Sequence, residues 1–202
     1  MHRVLGLLTV TLLAAMVFAA TLSASGPMPA DAAALVEMEG ATYYLAYNLH
    51  GDPFRKKIYS ANFQTPNHLI PWGTEVRIVR VRRNFLTFWE TESGREWFYW
   101  FSGRTRQAVS LKEHLGRLFI EDIEGLRQKV ESLSERDRDG IYEGRPMLGM
   151  SRTGVLTAMG YPPEFANPMD IMQARDWLYW LSRFDRIKIG FNRQGLVSSI
   201  VD

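Results

Sequence analysis

The amino-acid sequence predicts an α+β protein: a small antiparallel, barrel-like β module, a helical connector, then a helix with a three-stranded antiparallel sheet. Three observations predict it. Short aromatic and β-branched runs broken by glycine and proline fill residues 41–103. Leucines then recur at helical spacing over 107–137. Past residue 140, a segment with helix start and stop signals precedes three compact alternating strands.

Before those elements comes an address. Met1-His2-Arg3 is a positive start, Val4 to Ala20 is an uncharged, mainly apolar run, and small residues follow in Thr21-Leu22-Ser23-Ala24-Ser25-Gly26. That order is the pattern of a secretory signal, so residues 1–34 read as signal peptide and flexible leader. The apolar run falls just short of the ~20 residues that span a bilayer, leaving an uncleaved N-terminal anchor as the rival. Either way the remainder is expected outside the cytoplasm, periplasmic or extracellular, with no transmembrane segment once the signal is removed.

In the β module, Ala41 to Tyr47 reads as a strand and His50-Gly51-Asp52-Pro53 as a turn. Breaks follow at Pro66-Asn67 and Pro71-Trp72-Gly73-Thr74. The strand Glu75 to Val81 changes face midway: Val76 and Ile78 alternate together, then Val79 and Val81 do. Such a change predicts a bulge or a sharply bent strand. Phe85, Leu86 and Phe88 open the next strand, Glu92-Ser93-Gly94 turns the chain, and Trp97 to Phe101 returns it. The stretch Ile70 to Ile78 resembles the strand entry of Src-homology-3-like barrels over one turn and one strand.

Arg77, Arg80, Arg82 and Arg83 cluster here, near Trp72 and Trp97 in the chain. Interleaved guanidinium groups and indoles are the chemistry that holds an anionic or sugar-like ligand, and these six are the candidate ligand-binding residues. The plainer reading is a charged solvent face that protects an edge strand.

In the connector, Ser110-Leu111-Lys112-Glu113 is a capping box. Leu111, Leu115, Leu118, Leu126, Val130 and Leu133 line one side, while Gly116 and Gly125 predict two helices or a bend near 120–125. The run Glu135 to Gly140 reads as a solvated mixed-charge turn.

In the last region, 140–202, Ser151 caps a helix that carries Val155, Leu156 and Met159 inward. Gly160 stops it and Pro162-Pro163 prevents continuation. Strands follow at Trp177 to Leu181, Arg186 to Phe191 and Leu196 to Val201, the last two joined by the turn Asn192-Arg193-Gln194-Gly195. Trp177, Tyr179 and Trp180 are expected to be buried for the most part.

Gly149-Met150-Ser151 with Val155, Met159-Gly160-Tyr161-Pro162, Trp177-Leu178-Tyr179, Ile189-Gly190-Phe191 and Gly195-Leu196-Val197 come in an order that resembles the BamE-like (SmpA/OmlA) domain. The resemblance implies a small envelope protein that helps hold the outer-membrane protein assembly machine together. Two departures stand out. The chain has no cysteine to carry that family's lipid anchor, and it places the 41–103 and 107–137 regions ahead of the domain.

Composition narrows the chemistry. With no cysteine, disulfides, thiolate catalysis and thiol-ligated zinc are excluded. A net charge of only +2 argues against nucleic acid as a partner. His50, His68 and His114 show no metal-ligand spacing, and no nucleophile elbow or phosphate-cradling glycine loop is present. The expectation is therefore a non-catalytic protein-binding or assembly factor with no catalytic residue, metal or cofactor, whose partner is another envelope protein. The alternative is a binding module for a cell-wall or anionic lipid-headgroup ligand on the arginine- and tryptophan-bearing β module.

Overall fold

The structure, a computed structural model, describes residues 37–65 and 68–202. The expected signal and leader and the break at Pro66-Asn67 lie outside the described residues. The fold is α+β, with a curled mixed sheet and a separate three-stranded antiparallel sheet.

Among the described residues, eight strands precede the third helix: β1 (Thr42–Leu45), β2 (Leu49–Gly51), β3 (Lys57–Tyr59), β4 (His68–Ile70), β5 (Glu75–Arg82), β6 (Phe85–Glu90), β7 (Glu96–Trp100) and β8 (Phe119–Ile120). Six form one sheet in the order β3-β7-β6-β5-β1-β8, and β2 pairs with β4 beside it. The sheet is antiparallel except at one edge, where β3 runs parallel to β7. It curls without closing, because β3 and β8 end it unpaired with each other. The expected bulge is present: the β5–β6 register shifts between Ile78 and Arg80. It extrudes Val79, 37% exposed, so Val76, Ile78 and Val81 all face the core. The expected pairing of Val79 with Val81 on one face is corrected by that single extra residue.

The connector is more broken than expected. Helices α1 (Gly103–Ala108) and α2 (Leu111–Leu118) start at Ser102 and Ser110, each accepting a backbone N–H three residues on. At the expected bend the chain enters β8, which adds to β1 as an edge strand. Helix α3 (Ile123–Glu131) follows, capped by Asp122. The run Glu135–Gly140, expected as a solvated turn, belongs to helix α4 (Glu135–Glu143). Ser134 caps it, and Asp137 is buried because its carboxylate accepts from the Ser134 hydroxyl and the Ser151 amide. Gly144 ends α4 at φ 65°, the left-handed position glycine favours.

Helix α5 (Arg152–Met159) starts at Ser151 as expected, and β9 (Asp176–Trp180), β10 (Arg186–Phe191) and β11 (Val197–Val201) form a meander in the order β11-β10-β9. Trp177, Tyr179 and Trp180 are 0%, 0% and 8% exposed, so all three belong to the interior.

Two apolar cores result. One lies inside the curled sheet around Leu45, Phe88, Trp97 and Tyr99, closed by Leu115 and Leu118 of α2. The other lies between α4, α5 and the meander around Met150, Val155, Trp177 and Ile189. Tyr161 packs against both. Asn48 ties them by donating to Ile141 O at 2.8 Å and Ala158 O at 3.1 Å while accepting the Trp72 N–H at 2.8 Å.

Candidate functional site

The candidate arginines lie on one strand and the turn after it, but not in a site with the candidate tryptophans. Arg77, Arg80 and Arg82 are exposed on β5, and Arg83 is exposed in the turn to β6. Arg82 pairs with Glu39 at 2.9 Å. The Val81 N–H donates to the same carboxylate at 2.8 Å and, with Arg82, holds it below the usual carboxylate range. Trp97 is wholly buried: its ring lies over Gly51 and stacks on His68 at 5.3 Å, and its Nε1 donates to Glu90 at 2.6 Å. No face of it is open to a ligand. Trp72 packs on the second core.

A better-assembled site lies where the two sheets meet. The end of β7 and the first residues of α1 bring Ser102 and Arg104. The short 3-10 turn Glu164–Ala166 brings Phe165, and β9, its turn and β10 bring Trp180, Arg183 and Arg186. Gln64 and Thr65 fix the junction by donating backbone N–H groups to Trp180 O and Leu181 O, at 3.1 and 2.8 Å. Between these segments is a cleft of about 460 Å³, also lined by Phe63.

Its electrostatics are one-sided. Arg186 Cζ lies 4.2 Å from the Trp180 ring centroid, and Arg104 Cζ lies 5.8 Å from the Trp180 and Phe165 rings. Among the described residues neither these two nor Arg183 makes an ion pair. The Trp180 indole N–H is buried and has no acceptor there. Buried donors are almost always satisfied, so this N–H, closed to solvent, is an exception, and it is the unpaired guanidinium groups beside it that suit an incoming anion. Trp180, Arg183 and Arg186 come from one hairpin and Arg104 from a segment some 75 residues earlier; in the sequence Trp180 reads only as a core residue, and none of the three arginines stands out as a site residue.

A larger hollow, about 680 Å³, opens between α5 and the β10–β11 turn, with Arg152, Arg175 and Arg193 on its walls. Arg152 is already committed: it donates to Met172 O and Ala174 O and stacks on Phe191 at 4.3 Å. Its guanidinium therefore braces the meander.

Sequence reading also missed a buried polar chain across the junction. Tyr99 Oη lies 2.8 Å from His114 Nε2, and His114 Nδ1 lies 2.6 Å from Glu164 Oε1. Arg117 reaches the same carboxylate at 3.5 Å and covers the Tyr161 ring at 4.3 Å. Burial, then the charges of Tyr47 and Glu164, push the Tyr99 hydroxyl well above its usual value. An imidazole between a phenol and a carboxylate is the arrangement of a proton relay. Here it adjoins a cavity of about 30 Å³, room for a water but not for a substrate. Its partners stand 15 and 50 residues apart, a separation no local motif reveals.

Among the described residues no group of three or more His, Asp or Glu side chains is placed to hold a metal ion. No helix there is long and apolar enough to cross a membrane. Compared with known proteins, the chain matches no family model, no curated protein and no solved structure.

Proposed function

We propose that this chain is an exported protein of the cell envelope, periplasmic or extracellular. It acts as a non-catalytic binding or assembly factor and engages another envelope protein through residues 140–202. The observation that carries the reading is where apolar side chains reach the surface. Of nine large hydrophobic side chains exposed among the described residues, six belong to this last third: Tyr142, Leu148, Met169, Met172, Phe184 and Val201. Met169 and Phe184 are 89% and 79% exposed, an apolar load that a docked protein surface would cover. Support also comes from the signal-like N-terminus and from the order of α5, β9, β10 and β11, which follows the BamE-like resemblance.

A photo-crosslinking residue at Met169 or Phe184, in the native envelope, tests this. The expected result is one shared protein adduct at both sites, absent when the crosslinker sits at Arg77 and lost on Met169→Asp with Phe184→Asp. Scattered adducts unaffected by that pair of substitutions would count against it.

A second reading has its own observation. The unpaired guanidinium groups around Trp180 favour a module for an anionic ligand of the cell wall or a lipid headgroup, held in the cleft rather than along β5.

A further inference from the structure

We infer that the cleft between the two sheets is a phosphate site, taking a phosphomonoester whose remaining body lies along the Phe63 and Phe165 rims. The inference rests on the second reading above and names the chemistry of its ligand. The argument starts from charge. Arg104, Arg183 and Arg186 line one cleft, and no carboxylate among the described residues pairs with any of them. A carboxylate ligand offers one charge and two oxygens. A phosphomonoester offers roughly −1.5 to −2 and three strong acceptor oxygens, matching several guanidinium forks at once.

The indole of Trp180 is the second argument, independent of the first. It is 8% exposed, it lines the cleft, and its N–H has no acceptor among the described residues. That N–H is itself closed to solvent, so a ligand oxygen satisfies it only as the indole shifts toward the cleft. Arg186 stacked on that indole at 4.2 Å is held with little rotamer freedom left to lose on binding. Finally, the cleft of about 460 Å³ far exceeds a bare phosphate, so it also has room for the group the phosphate is attached to. Two half-buried phenylalanine rings flank that space.

The probe is glycerol phosphate, added to the nitrogen-labelled chain without its first 34 residues. The readout is the Trp180 indole N–H resonance, assigned by its loss in Trp180→Phe. The expected result is a saturable shift that weakens about tenfold or more in Arg104→Gln with Arg186→Gln. Both arginines are exposed, so the pair is expected to fold, and Arg183→Glu alone provides a second variant that weakens binding in the same direction. Succinate at matched ionic strength is expected to leave the resonance in place. A shift equally strong with succinate would overturn the phosphate assignment while keeping an anion site. No shift with any anion, or a shift undiminished in the arginine variants, would overturn both readings. Vesicles of phosphatidylcholine with and without phosphatidic acid identify the source. Arginine-dependent sedimentation with the acidic lipid places the phosphate on a membrane surface, and binding of glycerol phosphate alone places it in solution.

Discussion

At the scale of single residues, burial decides which side chains carry a message. Trp97 has the composition of a ligand platform and the environment of a core residue. A Cβ on Gly51 would come within 2.6 Å of Trp97 Cη2, so the backbone of β2 rests directly on the indole. Gly51→Ala is expected to cost about 1–3 kcal/mol by overpacking, read as a lower urea midpoint at unchanged slope. His68, the cross-strand partner of Gly51, also stacks on that ring, and Arg95 Nη1 lies 2.7 Å from its Nε2. Burial first, and then the Arg95 charge, push the imidazole below its ordinary value of 6.5, with Glu90 opposing. The unfolded chain therefore binds that proton more readily than the folded one. The His68 contribution is complete above about pH 6.5 and is lost progressively as pH falls below it. Melting temperature should drop more steeply on acidification in the native protein than in His68→Gln. Parallel pH profiles would show that His68 contributes nothing to the acid response.

At the scale of elements, local patterns were legible and long-range pairings were not. The start of α5 at Ser151, the start of α2 at Ser110 and the β10–β11 turn at Asn192–Gly195 follow from side-chain chemistry within four residues of each boundary. The β5 bulge was readable for the same reason, as a change of alternation inside one strand. By contrast, β3 joining β7 in parallel and β8 joining β1 depend on partners some 40 and 75 residues away. Arg104 was hidden from the Trp180–Arg186 hairpin by the same kind of separation, whereas Arg77, Arg80, Arg82 and Arg83 stood out by lying within seven residues of one another. The bulge itself separates two readings of β5. Regular alternation would place Val79 and Val81 alike, yet Val79 is 37% exposed and Val81 is 3% exposed. Val79→Asp is therefore expected to change stability by no more than about 0.5 kcal/mol, whereas Val81→Asp should cost more than about 3 kcal/mol. Equal costs in denaturant titrations would mean that the strand is not bulged there.

At the scale of the whole molecule, the two cores are joined by polar groups that cannot be left unmet. Asn48 is 0% exposed and satisfies three backbone groups drawn from the loop after β4, from α4 and from α5. Asn62 accepts the His50 N–H at 2.9 Å and donates to Met159 O at 2.7 Å, so it spans the same seam. Gly160 lies against Asn62 and Tyr47: at φ 77°, its Cβ would meet Tyr47 Cδ2 and Asn62 Nδ2 at 2.7 Å. A seam of this kind makes each half depend on the other, because opening it exposes apolar Tyr161 and strands buried amides together. Removing the Asn48 side chain takes the acceptor of the Trp72 N–H and a donor from Ala158 O, while Ile141 O keeps the Gly144 N–H, at about 1–3 kcal/mol for each group left unmet where water cannot reach. Native-state hydrogen exchange is the measurement that separates coupling from mere adjacency. In the native protein, amides of β6 and β10 should exchange with one common opening free energy. In Asn48→Ala the two should diverge, each core opening by itself. Unequal exchange already present in the native protein would mean that the halves are independent and that the seam only places the cleft between them.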